Sequence, residues 1–380
     1  MYIYCSGFVL SLLIILFGCS QKNNSSSDNN NKSTFYTCSV PSDERIDILS
    51  SKCVNVISKI SIHDQSILAS TGTTSRKNIG IIWDLTADSC SVVENNAIIS
   101  YYLYNPFGEI WRIGGSNGIG INIDVMSESG KVMKSARIDA LTIFSHYSNI
   151  AFDSIGNLWV GKVYDAGINK IDKDLNITII QGSPQVKALN IDSMNRIWAI
   201  TDTGVIKYEG GVQTNYGQEC GFSIVPPPYT GHDAADLCFE NNKLIWLTPG
   251  LIASDRIVLQ SFEISTLKFR TYKLPDMYQD KHVLDMQADN DGNVWFSTEL
   301  GGVFLFNQNN NTFQKYFTSI NTIISIEIDI FGNLWLGTTQ GLIKATKNGD
   351  VDFTLQPFIL SPGAPSLDEY SRECIFNPIQ

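Results

Sequence analysis

The sequence predicts an all-β chain, a seven-bladed β-propeller of four-stranded blades, and three observations carry the prediction. A short motif, Asp-x-x-Gly-Asn-Leu/Val-Trp, returns along the 380 residues at intervals of 39 to 49 residues. Around each copy, apolar and polar residues alternate in short runs bounded by Gly, Asn and Asp, with hardly any helical period. The composition suits strands and a large core: 43% hydrophobic, 17% charged, with 15 Tyr and 19 Phe.

Six copies read Asn105–Trp111, Asp153–Trp159, Asp192–Trp198, Glu240–Trp246, Asp289–Trp295 and Asp329–Trp335. A seventh, degenerate copy places Leu68 in the Trp position, and Trp83 falls outside the register. In each unit an apolar run such as "ISIEI" forms the first strand, and the Asp/Asn-Gly positions make a hairpin turn, where Gly or Asn tolerates positive φ. "LWLGT" then forms the second strand, "GLIKA" the third, and a stretch like "TFQKYF" the fourth. One such sheet cannot bury both faces alone, so the units stack around an axis with Trp filling the space between neighbours. Ring closure is expected from a strand supplied by one terminus, either "TFYTCSV" or "VDFTLQPFIL".

The chain begins with an apolar run, Phe8–Phe17, of about 15 Å as a helix against a hydrocarbon core of about 30 Å. Residues 1–18 therefore read as a signal peptide. Leu16-Phe17-Gly18-Cys19 resembles the bacterial lipobox, which implies cleavage before Cys19, a lipidated (palmitoylated) N-terminus and, with Ser20 next, the outer membrane. Residues 19–34 contain almost nothing that can be buried and are expected to be a disordered tether; residues 35–380 hold the propeller. The net charge of −11 disfavours nucleic acid and electrostatic docking on anionic lipid. Six cysteines beyond Cys19 invite disulfides in an exported chain: Cys220 with Cys238, Cys38 with Cys374, and Cys53 and Cys90, or else buried thiols.

The string D-x-x-G-N-L-W-x-G-T-x-x-G-L, best kept at Asp153–Asn169, Asp289–Phe306 and Asp329–Lys344, resembles the two-component regulator propeller repeat. That resemblance implies an exported sensor or stand-alone propeller; the motif residues themselves build blades. No kinase, receiver or DNA-binding segment is recognisable in these residues, so phosphoryl transfer by this chain is not expected. "DGNVWFSTE" at Asp291–Glu299 is also similar to the streptogramin B lyase family, whose activity implies a His-centred, magnesium-dependent elimination; its catalytic residues do not carry over one by one.

Three of four histidines recur in equivalent places: His146 lies 13 residues before Trp159, His232 14 before Trp246, and His282 13 before Trp295. All three fall at the entry of an innermost strand, with Asp233, Asp236 and Asp285 nearby. Tyr164, Asp202, Glu299 and Gln340 project from second-to-third-strand loops on the same face, beside the Pro-rich insertion Gly221–Asp236. This set could contact a ligand or simply face channel water; no metal-ligand spacing, catalytic elbow or phosphate loop is present, so no cofactor, metal or catalytic residue is assigned. The expected function is a lipid-anchored envelope propeller that binds or scaffolds a protein or glycan partner. The alternatives are a ligand-sensing subunit for a separate signalling protein and a streptogramin lyase-like enzyme.

Overall fold

The computed structural model describes residues 20–22, 34–39 and, with gaps at loops, 57–360; the larger gaps are 139–148, 224–234, 250–257 and 274–282. Among the described residues thirty strands form seven antiparallel sheets, each built from consecutive segments. Sheet 1 holds β1 Ser20–Lys22, β2 Thr34–Ser39, β3 Ile57–His63, β4 Ser66–Thr71, β5 Asn78–Asp84 and β6 Ser89–Asn95. Sheet 2 holds β7 Ile99–Tyr104, β8 Ile110–Ser116, β9 Gly120–Met126 and β10 Val132–Ile138. Sheet 3 holds β11 Ile150–Phe152, β12 Leu158–Gly161, β13 Ile168–Ile171 and β14 Ile177–Ile180; sheet 4 holds β15 Ala188–Ile191, β16 Ile197–Ile200, β17 Val205–Glu209 and β18 Val212–Tyr216. Sheet 5 holds β19 Ala235–Glu240, β20 Leu244–Pro249, β21 Val258–Glu263 and β22 Lys268–Lys273. Sheet 6 holds β23 Val283–Ala288, β24 Val294–Thr298, β25 Val303–Asn307 and β26 Thr312–Tyr316; sheet 7 holds β27 Ile323–Ile328, β28 Leu334–Thr338, β29 Gly341–Lys347 and β30 Phe353–Leu360.

The fold is an all-β propeller with four-stranded blades, but six blades are four-stranded, not seven. Sheet 1 departs from the expectation because β2 pairs along the outer edge of β6 over six residues and β1 pairs in turn with β2. An edge strand presents unpaired N–H and C=O groups, and "TFYTCS" satisfies them. Ser20–Lys22 lies inside the stretch expected to be a structureless tether. The ring closes without a shared strand: β30 is the outer strand of its own sheet, and β3 packs directly against β27 and β28 on one side and β7 on the other.

The motif residues account for the packing. In sheet 3, Asp153 Oδ1 accepts the amides of Ile155 and Asn157 at 3.2 and 2.8 Å, while Oδ2 accepts Asn157 Nδ2 at 2.7 Å and Trp159 Nε1 at 2.9 Å. The carboxylate thus folds the turn and fixes the indole together. Asp192, Asp289 and Asp329 hold Trp198, Trp295 and Trp335 in the same way, and Glu240 holds Trp246. The ring then sits between its own sheet and the next: Trp198 with Leu247 and Phe262, Trp246 with Phe296 and Phe306, Trp295 with Ile326 and Leu334. Leu68 takes this place in sheet 1, packing on Tyr102 and Ile110 of sheet 2.

The glycine after the Trp serves the approach of blades. A Cβ on Gly161 would stand 2.4 Å from Val186 Cγ1, and one on Gly337 would stand 2.9 Å from the Ile57 carbonyl oxygen, at the seam between sheets 7 and 1.

The expected bond between Cys220 and Cys238 is not formed; both are free thiols. Cys238 packs with Trp246 and Met286 between sheets 5 and 6, whereas Cys220 packs with Phe222 and Phe269 between sheets 4 and 5. The body of sheet 5 separates them. Cys38 stands opposite Cys90 in the β2–β6 register, while Cys53 and Cys374 lie outside the described residues.

Candidate ligand-binding channel

Seven innermost strands, β3, β7, β11, β15, β19, β23 and β27, surround a central cavity of about 370 Å³, which all of them line. A strand presents alternate residues to one side, so a polar residue in an otherwise apolar first strand marks the channel. Glu327 within "IISIEI" and Asp285 within "VLDMQA" are such residues. With Lys59 of β3 and Asp236 of β19 they form a charged group on the channel wall.

Asp285 is fully engaged. Its Oδ1 accepts the Met286 amide at 3.0 Å, and its Oδ2 accepts the Ile326 amide of the next blade at 2.9 Å and lies 3.7 Å from Lys59 Nζ. Asp236 is not. Its Oδ1 accepts the Leu237 amide at 2.8 Å, while its buried Oδ2 meets no N–H donor and the side chain hydrogen-bonds to the Asp285 carboxyl. Burial, and then the neighbouring Asp285 charge, push the Asp236 carboxyl well above the usual carboxylate range, because both disfavour its ionised form. Glu327 touches channel solvent yet is ringed by protein, and burial pushes its pKa up to about 7 despite the counteracting Lys59 charge. Glu327 is therefore poised to change protonation near neutral pH, beside an Asp236 carboxyl that also holds its proton more tightly than usual.

His63, Tyr104, Asn105 and Pro106 also line the cavity. They stand where first strands end and turn into second strands, so the cavity reaches the face opposite the one chosen from sequence. That turn face is apolar in four blades: Phe107, Ile155, Met194 and Phe331, all third in the Asp-x-x-Gly turn, are 66%, 64%, 58% and 66% exposed. The turns also tile onto one another, with the Phe107 ring over Gly156 and Ser154 bonded through its amide and hydroxyl to Asn195.

Of the residues chosen from sequence, Asp202 is described, exposed, and paired at 2.7 Å with the buried Lys187 Nζ, an attachment that anchors the entry to β15. His146, Tyr164, His232, Asp233, His282, Glu299 and Gln340 lie outside the described residues. Asp236 and Asp285, read as neighbours of that set, prove to line the channel, and Lys59 and Glu327 were missed. Their signal was charge at alternate positions of first strands.

No family model matches the chain, and no curated protein does. Solved structures do match. Both resemblances seen in the repeats are among them: the extracellular domain of a hybrid two component system, BT4673, from B. thetaiotaomicron, at TM-score 0.54 and 13% identity over 78% of this chain and 38% of that one, and virginiamycin B lyase from Staphylococcus aureus, at TM-score 0.58 and 14% identity over 83% and 98%. The WD40 propeller domain of Doa1 aligns at TM-score 0.57 and 12% identity over 77% and 94%. The chain spans about two-fifths of the BT4673 domain. At these identities the likeness establishes the fold. Among the described residues no helix is long and apolar enough to cross a membrane.

Proposed function

We propose that this chain is a binding module of the bacterial cell envelope, tethered to the outer membrane through lipid on Cys19, which engages a protein or glycan partner on its turn face. In this reading the six-stranded sheet serves as the seventh blade, carrying the N-terminal segment on its outer edge. The observation that carries it is the set of exposed apolar side chains, Phe107, Ile155, Met194 and Phe331, at one turn position in four sheets, on the face where the channel opens between Asn105 and His63. Exposed apolar groups repeated on one face, rather than scattered singly, mark a binding surface. The extracellular domain of BT4673 supports an envelope setting by likeness of fold.

The test compares the wild-type chain with a Phe107→Glu, Phe331→Glu variant, both confirmed as folded, in binding to purified envelope proteins and cell-wall glycans by interferometry. A partner held by the wild type and lost at least tenfold by the variant supports the reading. Equal binding by both places the interface elsewhere. Mass spectrometry of the membrane-bound chain checks the anchor, with an unmodified Cys19 overturning it.

A further inference from the structure

Strand β2 joins sheet 1 from outside the blade repeat, as its fifth strand. It runs antiparallel to β6 over six positions without a shift, from Thr34 opposite Glu94 to Ser39 opposite Ser89. Within that register Phe35 stands opposite Val93 and Tyr36 opposite Val92, aromatic against β-branched pairs of the kind that favour one alignment of two strands. Two places further on, Cys38 stands opposite Cys90. Directly opposed residues of an antiparallel pair emerge on one face of the sheet, with Cα atoms about 4.5 or 5.5 Å apart according to their place in the ladder. Both spacings lie inside the range of about 4.4–6.8 Å that a disulfide spans. Cysteine makes up 8 of the 380 residues, so a cysteine meets another at a given register position by chance about once in fifty. Cys220 and Cys238 do not offer this geometry, since they pack on opposite sides of sheet 5 and Cys238 is only 3% exposed.

We propose that Cys38 and Cys90 form a cross-strand disulfide that fastens the N-terminal segment to the outer edge of sheet 1. The reaction is thiol–disulfide exchange with a protein or glutathione disulfide as the oxidant. One cysteine thiolate attacks a sulfur of the oxidant, and the second thiolate breaks the mixed disulfide so formed. The S–S bond between the two strands is made, the oxidant's own S–S bond is lost, and both electrons and both protons end on the oxidant's two thiols.

The bond joins residues 52 positions apart in sequence and so withdraws freedom from the unfolded chain. It also decides how an anchored chain is held. Ser20 of β1 stands opposite Thr37, one position from Cys38, so a lipid on the preceding Cys19 is kept at the edge of sheet 1. With the bond in place the propeller hangs from that edge, instead of from the chain that enters β3 at Ile57. This consequence rests on the envelope reading proposed above, while the pairing itself does not.

Peptide mapping of the purified full chain tests this. The folded chain is equilibrated in an oxidising glutathione buffer, its free thiols are alkylated in denaturant, and the monomer is cut with trypsin without reduction. Cleavage after Lys and Arg puts Cys38, Cys53, Cys90 and Cys374 on separate peptides, 33–45, 53–59, 78–112 and 373–380, so every pairing among them has its own mass. Peptides 33–45 and 78–112 joined, and parted by dithiothreitol, are the expected result. Cys38→Ser should then free Cys90 for alkylation, and the double substitution Cys53→Ser, Cys374→Ser should leave the pair joined. Alkylation of both Cys38 and Cys90, or either one joined to a different cysteine, overturns the proposal. The oxidised wild type should melt a few degrees above oxidised Cys38→Ser, and the two should coincide after reduction; equal midpoints in the oxidised state overturn the fastening role. The same map on chain recovered from cells separates the two readings. A bond in both samples supports both, whereas thiols in the cell sample beside a bond formed in buffer remove the envelope setting and keep the pairing.

Discussion

Asp329, in the turn of sheet 7, accepts four hydrogen bonds, from the amides of Phe331 and Asn333, from Asn333 Nδ2 and from Trp335 Nε1. Asp236, on the innermost strand of sheet 5, has an oxygen that accepts none. Both are nearly buried, at 7% and 6% exposure. A carboxylate met by N–H donors stays ionised and is spent on the fold, while one that meets another carboxyl in place of such donors keeps its proton. The recurrence of the motif aspartate therefore speaks of architecture, while the channel carboxyls do not recur in all blades and belong to the channel wall.

The largest effect should come from Asp329→Ala. It strips the acceptor from a buried indole and two amides, and thermal unfolding should report a loss of about 3 kcal/mol, or several degrees. A loss under about 1 kcal/mol would mean the clamp is dispensable. Next, Glu327→Gln tests the other side of the comparison. Its folded pKa of about 7 lies above the unfolded value near 4.5, so the wild type holds this contribution below the unfolded value and loses it as pH rises toward 7. The variant should be the more stable at pH 8 by on the order of 1–3 kcal/mol and show a flatter profile between pH 4.5 and 7. An unchanged slope in denaturant titrations would refute the shifted pKa.

Asp153→Asn is subtler, since one amide oxygen can still fold the turn but the indole acceptor is lost; about 1–2 kcal/mol should disappear in the same assay. Sheet 2 already shows that state. Asn105 Oδ1 accepts the amides of Phe107 and Glu109 at 3.0 and 2.9 Å, its Nδ2 donates to Glu109 Oε2 at 2.6 Å, and Trp111 Nε1 is left buried without a partner. The double substitution Asn105→Asp, Glu109→Asn restores the residues of the other turns and should stabilise by about 1 kcal/mol, the smallest change of the set. No gain would show that a buried indole N–H costs little here.

How far each part could be read from sequence follows from the same contrast. Blade strands were legible because turn, Trp and glycine fall at fixed offsets, and even Leu68 was recognisable by position. In the first sheet "TFYTCSV" was legible as a strand but not its place on the edge of β6, because backbone pairing at an edge has no side-chain signature, and β1 lies in the polar stretch expected to be a tether. The thiol pairing was misread because sequence proximity of Cys220 and Cys238 conceals that a sheet stands between them. In the site, histidines were conspicuous and drew attention to strand entries. Lys59 and Glu327 were inconspicuous, since one charge in a short apolar strand becomes meaningful only when seven strands are arranged around an axis.

The seam between sheets 7 and 1 has a kinetic consequence. Every hydrogen-bonded sheet is made from one continuous stretch of chain, and six interfaces join stretches adjacent in sequence. Among the described residues, apart from the pairing of β2 with β6 within sheet 1, the meeting of β3 with β27 and β28 is what demands that distant residues find each other, and it is made by side-chain packing, with Ile57 against Gly337. The longest loop closure of assembly is thus this one docking event. Growing in order from sheet 1, the ring acquires this contact last, and in exchange experiments it is the contact that should breathe first, as a clasp opens before the bracelet bends.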